Sequence, residues 1–349
     1  MKKKSILNLI RCHVENNDAG FRSEAREIAR ELDSLGDTQL AAYIMSLLST
    51  TNVFVPQVHE NIQLKSPFLE KISKGVDLLL LPDPITKDIL GIVNAVKKDI
   101  GTNKFLFQGS PGTGKTQAAI QIARLLGREI FQVNESALVD SKLGQTQKNI
   151  ASVFQSIASI SNLNKLVILF DELDAIALDR TNSNDLREMG RATTEVLKGL
   201  DYLPNEVVLI ATTNLYQHFD GALTRRFDYV VDFNRYSTTD LCDIAEKLLD
   251  RYLERVKLAG RDVRLFRKIL KQCDKLPLPG DLQNIIKTSV AFSDPENDLD
   301  YMRRLYLELC KVEPNDSKEL QKQGFTIREI GVLTGQSKSG VGRELQEQS

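Results

Sequence analysis

Gly109-Ser110-Pro111-Gly112-Thr113-Gly114-Lys115-Thr116 is the stretch on which the fold turns. It fits G-x-x-x-x-G-K-[ST], a loop whose glycines let successive backbone N–H groups converge on one anion. Before it, Lys104-Phe105-Leu106-Phe107-Gln108 reads as a short buried strand. After it, Gln117 to Leu126 carries Ala118, Ala119, Ile120, Ile122, Ala123 and Leu126 at the spacing of an apolar helix face. That order puts the positive end of a helix behind the anion. In such a loop Lys115 reaches β- and γ-phosphates, and the Thr116 hydroxyl ligates Mg²⁺. The predicted phosphate-binding set is therefore Gly109, Ser110, Pro111, Gly112, Thr113, Gly114, Lys115 and Thr116, with Gln117 opening the helix.

Working outward, strands and helices alternate over 101–235. Glu129-Ile130-Phe131-Gln132-Val133-Asn134 reads as a strand, and a helix follows near Asn149 to Ile160. Leu166 to Phe170, Val207 to Thr213 and Tyr229 to Phe233 are apolar runs of the kind that strands buried on both faces show. The prediction is an α/β fold with a five-stranded parallel sheet, helices on both faces and ligands at the carboxyl edge.

Asp171-Glu172 ends the third strand, beside the loop. Asp171 suits a Mg²⁺ ion, held directly or through water, and Glu172 suits a general base that polarises the attacking water. Asn214 ends the next strand, where a neutral amide orients water near a γ-phosphate without competing for the metal. Arg225-Arg226 follows. Arginine is fit for bidentate phosphate contact, and this pair falls too far across the sheet to serve its own loop, which suits a neighbouring subunit's nucleotide.

Composition excludes several classes. Lys and Arg total 46 against 47 Asp and Glu, a net charge of −1, so no global basic field advertises nucleic acid or membrane. No stretch approaches ~18 apolar residues, so no membrane span is predicted. Met1-Lys2-Lys3-Lys4 resembles the start of a signal peptide, but Asn8 and Arg11 cut the apolar run and export is not expected. Cys12, Cys242, Cys273 and Cys310 are scattered without a C-x-x-C pair, which fits a reduced cytoplasm and offers no zinc site.

The loop, Asp171-Glu172, Ala211-Thr212-Thr213-Asn214 and Leu223-Thr224-Arg225-Arg226-Phe227-Asp228, in that order, resemble an AAA ATPase over about residues 76–295. The resemblance implies an enzyme that hydrolyses ATP with Mg²⁺ and forms a homo-oligomeric ring, usually a hexamer, with nucleotide between subunits and a helical lid. It implies that Gly280, in Pro279-Gly280-Asp281-Leu282, touches nucleotide. Gln283 stands where many relatives place an arginine, so no lid arginine is expected. It implies arginine fingers for Arg225 and Arg226, and a protein partner that the ring remodels or regulates. Ser141-Lys142-Leu143-Gly144-Gln145-Thr146 aligns with the family's pore loop, but Lys142 replaces the usual aromatic, against the threading of a substrate chain. Leu143 to Asn149 and the short helical leader are similar to bacterial AAA proteins encoded beside subtilisin-like proteases, which implies such a protease as partner, in bacterial defence.

The predicted domains are a helical segment 1–50, a linker 51–75, the nucleotide-binding domain 76–235, the helical lid 236–312 and a tail 313–349. The first reads either as a cap packed on the next domain or as an adaptor for a partner. The tail, Thr326 to Leu345, looks like a helix-turn-helix in which Ser337, Lys338, Ser339 and Arg343 would face DNA through 318–349. Against it stand Gln336 at a usually apolar position and a net charge near zero. The alternatives are a helical hairpin on the lid and a DNA-bound switch for transposition, replication or transcription.

Overall fold

The computed structural model describes residues 8, 11–12, 17–34, 66–72, 79–138, 145–160, 162–177, 186–219, 221–256 and 260–347. Ser141, Lys142, Leu143 and Gly144 of the stretch aligned with a pore loop, and most of 1–16 and all of 35–50 in the predicted helical segment, lie outside them. The chain divides into two compact units, Met1–Gln63 and Leu64–Ser349.

In the first unit, helix α1 spans Asp18–Ser34. Asn17 accepts from the Gly20 N–H at 2.9 Å through its side chain, as an N-terminal cap does. Ala25, Ile28 and Ala29, at helical spacing along one face, are buried.

The second unit is built on strands β1 (Leu69–Lys71), β2 (Lys104–Gln108), β3 (Glu129–Val133), β4 (Leu166–Phe170), β5 (Val208–Thr213) and β6 (Tyr229–Asp232). Their order is β1-β3-β4-β5-β2-β6. The five predicted strands pair in parallel. β1 is the addition: it joins β3 antiparallel, Leu69 opposite Val133, inside the stretch predicted as linker. Three residues are too few for an alternation to be read from sequence. The run patterns match position. β4 and β5, central, are buried at every residue, whereas edge strand β6 buries only Val231.

Helices α2 (Asp83–Lys98), α3 (Lys115–Leu126), α4 (Glu135–Leu138), α5 (Gln145–Ala158), α6 (Asp174–Ala177), α7 (Leu186–Asp201) and α8 (Gly221–Thr224) connect the strands. α2 and α3 share one core with β2, β3, β4, β5 and β6 through Ile85, Ile89, Ile92, Ile122, Phe105, Phe107 and Phe233. α3 begins at Lys115, two residues before the predicted start, with Gly114 as a left-handed cap.

Beyond the sheet come α9 (Thr238–Val256), α10 (Val263–Gln272), α11 (Pro279–Ala291) and α12 (Asp300–Cys310), then α13 (Ser317–Lys322), α14 (Ile327–Thr334) and α15 (Lys338–Glu347). Leu248, Leu265, Phe266, Ile286, Tyr301 and Leu305 of α9 to α12 pack in the same core as Leu320, Ile330, Leu333 and Val341 of the last three helices and Phe325 between α13 and α14. Lid and tail are one packed body. Among the described residues no helix is long and apolar enough to cross a membrane.

Candidate functional site

The order β4-β5-β2 brings together residues that lie far apart in sequence. Asp171 follows β4, Asn214 follows β5 and the glycine-rich loop follows β2, so all three leave the sheet at one edge. They line one cavity of about 360 Å³, together with Pro111 to Gln117, Glu172, Thr212 and Gly280. Gly109 and Ser110 hold the loop from beneath: their carbonyls accept from Lys115 Nζ at 2.7 and 2.9 Å. The third Lys115 proton goes to Asn214 Oδ1 at 2.8 Å. An ammonium has three donors and no acceptor, so every donor is used. Burial pushes the Lys115 pKa down, opposed by the charges of Asp171, Asp174 and Glu172.

Thr116 Oγ1 lies 2.9 and 3.1 Å from the two Asp171 carboxylate oxygens. Thr212, which the sequence reading quoted without a role, is the hub beside them. Its hydroxyl donates to Asp171 Oδ1 at 2.7 Å and accepts from the Glu172 N–H at 2.9 Å. Its strand lies between those of Asp171 and the loop, an adjacency that chain order does not reveal. Glu172 itself sits at φ 50°, the left-handed region that non-glycine residues enter at a cost. The turn is fixed by that Thr212 bond and by the Ala175 N–H donating to the Glu172 carbonyl at 2.8 Å. Asp174 accepts from the Asn214 N–H at 3.1 Å and so positions the amide.

The opposite wall is apolar: Leu79, Leu80, Ile244 and Leu248. The lid closes the loop directly, with the Gly280 N–H donating to the Gly112 carbonyl at 2.8 Å. A Cβ on Gly280 would stand 2.8 Å from Gly112 Cα, so only glycine fits that approach. Gln283 lines the cavity, as its position in α11 suggests, but an arginine does so too: Arg251, from α9. The expectation of a lid without an arginine at the site is corrected on that point. Arg251 comes from a helix whose relation to the loop only packing sets. Tyr236 also escaped the sequence reading; its hydroxyl donates to the Thr113 carbonyl at 2.8 Å.

These residues fit a nucleotide and a magnesium ion. The loop offers positive-φ glycines at 112 and 114, a buried cation and a helix start. Thr116 and Asp171 offer hard oxygens within hydrogen-bond reach of each other. Among the described residues there is no group of three or more His, Cys, Asp or Glu able to cage a metal. A second cavity, behind Asp171 and Glu172, is lined by Glu70, Asn134, Glu135 and Ser136. Burial, then the charges of Glu172, Asp171 and Asp174, push the Glu135 pKa up to about 8. Its Oε1 is buried without a hydrogen-bond partner among the described residues.

The arginine pair is elsewhere. Arg225 and Arg226 precede β6, which pairs with the loop's own strand, Phe105 opposite Tyr229. They therefore lie at the amino end of β2, about 13 Å of strand from the loop. What separates them from it is the length of a neighbouring strand, not the breadth of the sheet. The two also differ: Arg226 pairs with Asp201 at 3.2 Å and donates to the Ala222 carbonyl at 2.8 Å, whereas Arg225 is exposed.

Fold and site together define a P-loop nucleotide-binding domain with a helical lid. Residues 105–235 match the family model described as ATPase family associated with various cellular activities (AAA). The chain is 38% identical over 133 residues to an uncharacterized AAA family ATPase, y4kL, of Sinorhizobium fredii, covering 38% of this chain and 39% of that protein. It is 24% identical over 220 residues to a putative 26S proteasome regulatory subunit homolog of Methanothermobacter marburgensis, covering 58% of this chain and 57% of that protein. The chain thus spans well under two thirds of these curated relatives. The AAA domain of FIGL-1 in complex with ADP superimposes with a TM-score of 0.53 at 19% identity, over 76% of this chain and 95% of that one, which establishes the fold. Residues 105–235 thus match an AAA-type ATPase domain.

Proposed function

We propose that this chain is a Mg²⁺-dependent ATPase that hydrolyses ATP to ADP and uses the cycle to remodel or regulate a protein partner. One observation carries the reading: Lys115, Thr116, Asp171, Glu172 and Asn214 line a single cavity whose far wall is apolar. The apolar wall suits a purine, and the loop amides with Lys115 suit the phosphates. Mg²⁺ when bound neutralises charge on the β- and γ-phosphates. Thr116 and Asp171 would hold it. Lys115, released from the loop carbonyls, clamps the phosphates. Glu172 takes the proton of the attacking water, and Asn214, fixed by Asp174, orients that water. Glu172→Gln should bind ATP with the parent affinity and release phosphate ~10²-fold or more slowly, measured by phosphate release with and without EDTA. Parent-rate hydrolysis by Glu172→Gln would remove the base assignment.

The family resemblance supports a homo-oligomeric ring, a hexamer, in which Arg225 meets the neighbour's nucleotide. Its exposure supports that role, whereas the Asp201 pair keeps Arg226 at home as a strut. A subtilisin-like protease is the partner class that the resemblance implies, and the free cysteines support a reduced, cytoplasmic setting. A second reading, a DNA-bound ATPase switch, is favoured by one observation. The tail has the helix, left-handed glycine turn and helix of a helix-turn-helix, Gly335 at φ 75° between α14 and α15.

A further inference from the structure

The tail's near-zero net charge conceals a sided distribution. Glu329, 7% exposed, faces inward, accepting from Lys268 Nζ at 2.6 Å and from the Thr326 N–H at 2.7 Å. Glu344 accepts from Ser317 Oγ at 2.9 Å. Asp316 caps α13 and Glu319 lies 3.9 Å from Lys322. The cations of α15 are not consumed in this way: Lys338 and Arg343 are exposed, as are Ser337 and Ser339. Gln336, the departure from the usual motif, is exposed too, so the position has no core to fill. Its carbonyl instead packs where a Cβ on residue 331 would stand, at 2.8 Å, so glycine is needed there.

The lid adds a cation at the same place. Arg303 of α12 is exposed and puts Nη1 3.8 Å from where a Cβ on Gly335, the turn residue, would stand. Lid and tail are joined firmly. Lys268 donates to the Gly324 carbonyl at 2.9 Å, Gln272 to the Gln323 carbonyl at 3.1 Å, and the Tyr306 hydroxyl to Gln323 Oε1 at 2.8 Å. The Phe325 ring packs edge-on to Tyr306 with centroids 6.0 Å apart. The lid in turn touches the phosphate loop through Gly280 and Gly112.

Resting on the DNA-switch reading, we propose that Arg303 of the lid and Ser337, Lys338, Ser339 and Arg343 of the tail form one surface for duplex DNA. α15 enters the major groove and Arg303 grips the backbone beside it. The occupant is a duplex because an exposed helix with short polar and basic side chains matches a groove ~12 Å wide flanked by phosphates. Because the surface rides on the lid, nucleotide and DNA affinities are linked and reciprocal.

The test is fluorescence anisotropy of the full chain with a labelled 24-bp duplex, with ATPase rate without DNA as a separate control. Neutralisation of one phosphate each by Arg303, Lys338 and Arg343 predicts a fall in affinity on the order of 40-fold between 50 and 200 mM salt. Arg303→Ala should flatten the log–log salt slope by about one and leave the DNA-free ATPase rate unchanged. Lys338→Glu/Arg343→Glu should abolish binding while circular dichroism shows the helices intact. ATP-bound Glu172→Gln and nucleotide-free protein should differ in duplex affinity. No duplex binding at 50 mM salt, equal binding of single strands or duplex RNA, or indifference to the α15 reversals overturns the DNA-switch reading. Loss on α15 reversal with an unchanged slope in Arg303→Ala overturns the composite surface alone. Equal affinity in the two nucleotide states overturns the linkage alone. ATP hydrolysis by the parent is read independently of all three.

Discussion

The carboxyl edge of the sheet and the lid–tail body are held together by opposite means. At the sheet edge, Lys115, Thr116, Asp171, Thr212, Glu172 and Asn214 hold one another through hydrogen bonds of 2.7 to 3.1 Å, around a cavity. In the lid and tail, fully buried Leu265, Phe266, Tyr301 and Leu305 fill a core, and polar bonds only fasten its seams. The first arrangement leaves groups poised for a ligand. The second leaves none to spare in its interior, and converts local movement into movement of the whole body. Function should therefore be lost with little loss of fold at the sheet edge, and the reverse should hold in the lid.

The largest effect should come from outside both regions. Arg225→Ala should lower kcat ~10³-fold with ATP affinity nearly kept, because the arginine meets charge that develops only in the transition state. Arg226→Ala should leave kcat close to the parent, since its half-exposed ion pair is worth ~1 kcal/mol or less. Mixing Arg225→Ala with Lys115→Ala subunits under exchange should restore some turnover. Activity no greater than the sum of the two would refute action between subunits.

Lys115→Ala should weaken nucleotide binding ~10²-fold, measured by titration of a fluorescent ATP analogue, while the nucleotide-free Tm moves little. Leu305→Ala is the mirror experiment. It should cost ~2–5 kcal/mol in urea unfolding through the cavity it leaves in the lid core. If Lys115→Ala unfolds the protein, or Leu305→Ala spares stability while removing nucleotide binding, the contrast between the regions fails.

Gly280→Ala tests the point where they meet. The added methyl must displace Gly112 or the lid, so nucleotide affinity should fall by roughly tenfold, a cost of ~1–2 kcal/mol. Parent affinity in this variant would mean that the lid contact is not part of binding. The smallest effect concerns pH. Glu135 carries its proton in the folded protein up to about pH 8, well above its ordinary value. Folding then binds a proton across that window, so stability is fullest at acid pH and is lost as pH rises from about 5 through 8. In Glu135→Gln, without magnesium, the fall of Tm over that range should be shallower than in the parent. Parallel curves would refute the assignment.

Much of the sheet edge was legible because its chemistry is written in short, local motifs. A loop of Gly112, Gly114, Lys115 and Thr116 after an apolar strand has few meanings, and the acids after Leu166–Phe170 have few once that loop is present. The seams were not legible. β1 is three residues long, Arg251 reaches the cavity from a helix with no motif, and Thr212 matters because β5 lies between β4 and β2.

The sequence by itself determined the parallel α/β sheet, the glycine-rich loop, the acids at the end of β4 and the helices that follow the sheet, because strand burial and anion chemistry each demand particular residues at fixed local spacing. Tertiary structure alone decided which neighbours those residues would have. It put Arg225 and Arg226 at the end of the strand beside the loop's own, tied only one of them down, and gave Glu329 and Glu344 of the tail partners within the fold while leaving Lys338, Arg343 and the lid's Arg303 exposed. The reason is physical: periodicity specifies which face of an element is apolar, but the partner of that face is chosen by packing among elements distant in sequence.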